Sequence, residues 1–115
     1  TIDKDGFMNM WVEIPNYTHN IFRYNMTSLE FFEQNKNEFD FMFIDGNINK
    51  EDIKEIFKCT PNKFNIVFHD FYFNDPEDKG TKNVSEFINA CTHYNYEFLF
   101  ESEVGACCAR LEITK

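Results

Sequence analysis

The chain has 115 residues, with 20 acidic and 11 basic side chains and a formal net charge of −9. That length suits one compact domain burying roughly two-thirds of its unfolded-chain surface. The negative field disfavours nucleic-acid backbone and anionic lipid as partners, and no cluster of Lys and Arg counters it.

In chain order, Thr1 to Asp3 reads as the tail of a strand, and residues 7 to 14 as a helix stopped at Pro15. His19 to Tyr24 reads as a short strand. Thr27-Ser28-Leu29-Glu30 has the form of a capping box, Thr27 with Glu30, opening a helix that runs to about Gln34. Phe39 to Ile44 and Phe64 to Phe68 are nearly continuous apolar runs, the pattern of parallel strands covered on both faces. Between them Ile53, Ile56 and Phe57 share one helical face behind Asn49 as N-cap, which gives a βαβ unit with an expected right-handed crossover. A polar loop from Asn74 to Gly80 precedes a helix over Thr81 to about Thr92, with Val84, Phe87, Ile88 and Cys91 on its apolar side. Tyr96 to Glu101 and Gly105 to Thr114 then form an antiparallel pair joined near Ser102 to Val104. The expectation is a single α/β domain without repeats or linkers.

No apolar run reaches about 18 residues and no charged-then-apolar leader is present, so neither a membrane span nor a signal peptide is expected. The four cysteines, at 59, 91, 107 and 108, make no C-x-x-C pair and no zinc pattern with histidine. Reduced, buried thiols in a cytosolic compartment are the expectation. The 15 phenylalanines read as an aromatic core rather than a stacking surface.

Ligands of open parallel α/β sheets bind beyond the carboxyl ends of the strands. The residues standing there are Asp3, the turn Asn25-Met26-Thr27, Asp45-Gly46 and His69-Asp70. Asp-Gly is also an ordinary turn pair. A hydrogen-bonded histidine after a buried strand is often structural, Asp3 could simply be solvated, and capping alone accounts for Thr27 and Ser28. His19 and His93 read as ordinary surface histidines.

Three segments in this order, "FDFMFIDGNINKEDI", "NIVFHDFY" and "GTKNVSEFI", resemble class I S-adenosylmethionine-dependent methyltransferases. The similarity is good from Phe39 to Ile88, and "VGACCARLEIT" is similar to that fold's closing antiparallel strands. The resemblance implies a Rossmann-like three-layer sandwich, a mostly parallel sheet ending in an antiparallel pair. It implies S-adenosylmethionine as cofactor, with Asp3 on the ribose hydroxyls, Thr27 and Ser28 beside the adenine, and Asp45-Gly46 near the methionine end. Asn25 and Met26 depart from the family's Gly-Asp-Ser at that turn. In metal-dependent relatives the carboxylates matching Asp45 and Asp70 hold a divalent cation, so Mg²⁺ is the implied ion. The alternative is His69 acting instead as general base on an acceptor hydroxyl; the implied reaction is methyl transfer to oxygen of a small molecule.

The family's first strand and Gly-rich turn have no counterpart here, since the four glycines form no G-x-G. With Thr rather than Met at its start, the sequence reads either as the C-terminal portion of a longer enzyme or as a chain completed by another segment. A degenerate, non-catalytic scaffold domain of the same fold is the alternative. A phospho-receiver module ranks third, because no Lys follows Phe68 directly.

Overall fold

The computed structural model describes residues 24–72, 75–101 and 108–115. The chain divides into two compact units, residues 1–35 and 36–115. The strand tail at Thr1 to Asp3, the helix over 7–14, the strand at His19 up to residue 23 and the join near Ser102 to Val104 lie outside the described residues.

In the first unit, helix α1 (Ser28–Gln34) begins where the capping box puts it. The Glu30 backbone N–H donates to Thr27 Oγ1 at 3.2 Å, and the Thr27 N–H donates to Glu30 Oε2 at 2.8 Å. Two of the otherwise orphan donors of the first turn are thereby satisfied.

The second unit contains β1 (Phe41–Ile44), α2 (Lys50–Lys58), β2 (Lys63–His69), α3 (Lys79–Ala90), β3 (Asn95–Glu101) and β4 (Cys108–Thr114). The sheet order is β1-β2-β4-β3. β1 runs parallel to β2, and β4 runs antiparallel to both β2 and β3. The protein is therefore α/β, with an open four-stranded mixed sheet. The expected βαβ unit is present, and its helix starts at Asn49, whose side chain accepts from Asp52 N while Asp52 Oδ2 accepts from Asn49 N, both at 3.0 Å.

The expected antiparallel pair forms, and its second strand lies between β2 and β3. Side chains explain the placement. Ala109, Leu111 and Ile113 sit opposite Phe68, Ile66 and Phe64, and all six are 0–1 % exposed. At the edge, Tyr96 and Phe98 of β3 keep 47 % and 37 % of their surface.

One face of this sheet carries the core. Phe57 of α2 meets Phe64 edge-on at 5.9 Å, and Phe87 of α3 touches the rings of Phe57, Phe64 and Phe68 at 5.3, 6.5 and 5.7 Å. Ile53, Ile56 and Val84 are buried with them. The other face of β1 departs from the expectation of cover on both sides. Met42 and Ile44 share the helix-covered face with Ile66 and Phe68, whereas Phe41 and Phe43 lie on the opposite face and are each 56 % exposed. Strand side chains alternate, and α2 and α3 pack on the same side, so half of the apolar run has no cover among the described residues.

The helix expected from Thr81 begins two residues earlier, at Lys79, and ends at Ala90. Cys59 and Cys91 are buried free thiols and Cys108 is a half-buried one. Burial pushes the Cys91 thiol up to about 11 and raises Cys59 as well, so both stay protonated at neutral pH. No helix among the described residues is long and apolar enough to cross a membrane.

Phe87 is the ring that joins both helices to β2. Phe87→Ala is expected to cost about 3–5 kcal/mol, the usual range for a buried Phe, read as a lowered midpoint in urea denaturation of the full-length protein.

Candidate functional site

β1 and β2 are adjacent and parallel, so their carboxyl ends lie side by side. Ile44 pairs with Phe68, which brings the next residues, Asp45 and His69, to the same edge. Asp70 follows in the left-handed region at φ 56°, a conformation aspartate tolerates better than most side chains. Three of the sequence-derived site residues thus converge. His69 Nδ1 stands 3.0 Å from Asp45 Oδ1 and 3.0 Å from Asp70 Oδ1. An ionised carboxylate only accepts, so Nδ1 carries the proton and the second ring nitrogen, Nε2, is the one able to take another.

The sequence reading missed the cation of this cluster. Lys79 Nζ donates to Asp45 Oδ1 at 2.8 Å and reaches Asp70 Oδ2 at 2.9 Å. Both are lengths of charge-assisted bonds. The Lys79 hydrogen bond, foremost, holds the Asp70 carboxyl below the usual aspartate range. Burial pulls Lys79 down, but its bonds to Asp45 and Asp70 outweigh that and raise it. With the imidazole neutral, two carboxylates and one ammonium leave a single net negative charge.

Lys79 is the first residue of α3, whose opening turn contains no acidic residue. A cation there opposes the helix dipole, and the two carboxylates offset that cost. The signal available in the sequence was this misplacement of a lysine, visible only if the helix is begun at 79.

The rest of the same turn fixes the ends of both strands. Gly80 N donates to Asp70 O at 2.9 Å. A Cβ on Gly80 would stand 2.5 Å from the Asp70 carbonyl carbon and oxygen, and closer still to the His69 carbonyl oxygen. Only glycine allows this approach. Thr81 Oγ1 donates to Tyr72 O and accepts from Tyr72 N, each at 3.0 Å. Asn83, 2 % exposed, donates to Gly46 O at 2.7 Å and accepts from Ile48 N at 3.1 Å. A buried amide with both ends satisfied holds the turn that follows Asp45. Nothing in its sequence neighbourhood distinguishes Asn83 from a surface residue.

Of the remaining expected site residues, Asp3 lies outside the described residues. Thr27 and Ser28 belong to the first unit, where the Thr27 hydroxyl is engaged by Glu30. Gly46 contributes its carbonyl, and the space around its Cα is open.

Asp45 Oδ1, Asp70 and His69 lie close enough together for one ion, their ligand atoms all within 4.8 Å. The oxygens suit a hard cation. However, the point on which both carboxylates converge is held by Lys79, and the His69 nitrogen facing them is protonated. No model of a known protein family matches the chain, and no curated protein matches it.

Two outcomes follow. Gly80→Ala is expected to cost about 1–3 kcal/mol from overpacking, with NMR shift changes centred on His69 to Tyr72. Because Asp70 is lowered in the folded state, the stability it contributes is present above its ordinary range and is lost as pH falls through its folded value. In Lys79→Met the Asp70 carboxyl midpoint, followed by NMR, is expected to rise toward the ordinary aspartate range.

Proposed function

We propose that this chain is the C-terminal portion of an S-adenosylmethionine-dependent methyltransferase that transfers methyl to an oxygen of a small molecule. The observation that carries the reading is the meeting of Asp45 with His69 and Asp70 at the carboxyl ends of two adjacent parallel strands. The reversed strand β4, closing the sheet beside β2 and β3, is a second support. A three-layer Rossmann-like sheet completed by further strands belongs to the proposal. So does a cytosolic setting, supported by the free thiols.

Each residue has a chemical part. Among the described residues both Asp45 contacts fall on Oδ1, which leaves Oδ2 to receive the amino group at the methionine end of the cofactor. Gly46 leaves open space beside that carboxylate. The bound cofactor supplies an electrophilic methyl on a sulfonium. His69 takes the acceptor's hydroxyl proton on Nε2 while the oxygen–methyl bond forms and the carbon–sulfur electron pair stays on sulfur. Asp70 and Asp45 orient the ring and stabilise the imidazolium that results. Mg²⁺ on Asp45 and Asp70 would require Lys79 to leave both carboxylates.

The second reading, a non-catalytic scaffold domain, is favoured by the same side-chain bonds, since Asp45 and Asp70 already have partners within the chain. Calorimetric titration of S-adenosylmethionine into the full-length protein separates the two. The enzyme reading expects saturable binding that Asp45→Asn weakens by roughly 10–100-fold, the loss of a charged hydrogen bond. Absence of binding to the wild-type protein would leave the scaffold.

A further inference from the structure

We infer that Lys79 is the resident cation of the Asp45–Asp70 pair and occupies the point at which a divalent ion would have to bind. The inference rests on the methyltransferase reading for its meaning, but its geometry is independent of that reading. Nζ lies 2.8 Å from Asp45 Oδ1 and 2.9 Å from Asp70 Oδ2, so a single ammonium bridges carboxylates from two different strands. The third donor of the cluster, His69 Nδ1, is hydrogen-bonded to both carboxylates and presents a proton, not a lone pair, toward the centre. Asp45 Oδ1, both Asp70 oxygens and His69 Nδ1 thus already have partners inside the chain, and these are the atoms that face the centre of the cluster.

The placement of Lys79 is also hard to account for otherwise. Its side chain is 29 % exposed, less than the 55 % of Lys82 in the same turn, which pairs with Glu77 outside the cluster. It opens a helix whose dipole repels it. The carboxylate pair supplies the compensating attraction. A divalent ion entering this site would have to break both ammonium bonds and then stand next to the displaced positive charge.

The consequence is a reaction that needs no metal. The ammonium lowers the charge repulsion between the carboxylates and keeps them directed at the His69 ring. Lys79 is thus a positioning residue, acting on the acceptor through Asp45, Asp70 and His69.

The test is a titration of Mn²⁺, a hard and paramagnetic probe ion, into the full-length protein, read by electron paramagnetic resonance. The wild type and Lys79→Arg are expected to show no saturable binding at millimolar Mn²⁺. Lys79→Met is expected to bind about tenfold tighter or more, because the like charge is gone, and Lys79→Met with Asp70→Asn is expected to lose that gain. Saturable binding by the wild type at the strength of Lys79→Met would overturn the inference, as would a folded Lys79→Met that gains nothing. Should Lys79→Met fail to fold, the wild type and Lys79→Arg still decide, because tight binding by either contradicts a resident cation. No S-adenosylmethionine is present in these titrations. A protein that fails to bind the cofactor can still give the expected Mn²⁺ result, and one that binds it can still refute the role of Lys79.

Discussion

Gly80 lies flat against the backbone of His69 and Asp70, and the remainder of the site is arranged around that contact. Without a side chain at this position, the start of α3 comes within hydrogen-bonding distance of the end of β2. The neighbours in sequence then fall into place: Lys79 reaches the carboxylates, Thr81 closes on Tyr72, and Asn83 reaches across to the turn after β1. One helical turn thus fastens two strand ends, and the left-handed Asp70 is held between them. A backbone residue in a sparsely populated conformation persists only when its surroundings over-determine it. Here a hydrogen bond to its carbonyl and the ion pair on its side chain both do so.

The division of labour between the two sides of the sheet follows from the same geometry. Phe64, Ile66 and Phe68 point toward the helices, and Asn65, Val67 and His69 point away. The alternation that buries the core therefore delivers the imidazole to the open side, where the ring of Phe43 lies 6.1 Å from it. Arg110 reaches Asn65 on that face, so its polar and apolar groups are interleaved. The core and the candidate site are drawn from alternate residues of one strand.

Local signals were legible in the sequence. The boxes at Thr27 and Asn49 involve residues three apart and start their helices where expected. The apolar face of α3 was legible too, with Val84, Phe87 and Cys91 buried. What was not legible depended on partners distant in the chain. A run such as Phe41 to Ile44 has the same composition whether one face or two are covered, and only the positions of α2 and α3 decide. The insertion of β4 between β2 and β3 is a choice among strands far apart in sequence. Lys79 and Gly80 looked like the end of a polar loop, because Gly commonly marks loops. Its role here is to allow contact with a strand end 10 residues earlier. The meeting of Asp45, His69 and Asp70 was legible because strand ends are few and the rule about them is topological.

The exposed phenylalanines of β1 have a consequence for handling the protein. β1 lies at one edge of the described sheet, with Phe41 and Phe43 uncovered, and edge strands of that kind invite pairing with other chains. The segment is bracketed by acids: exposed Glu38 and Asp40 precede it and exposed Asp45 follows it. Charges flanking an unavoidable apolar strand act as gatekeepers against self-association. Together with the net charge of −9, they oppose stacking of one copy on the next. Asp45 is therefore placed to serve solubility as well as the candidate site, and neutralising it removes a guard at one end of a strand with two exposed phenylalanines.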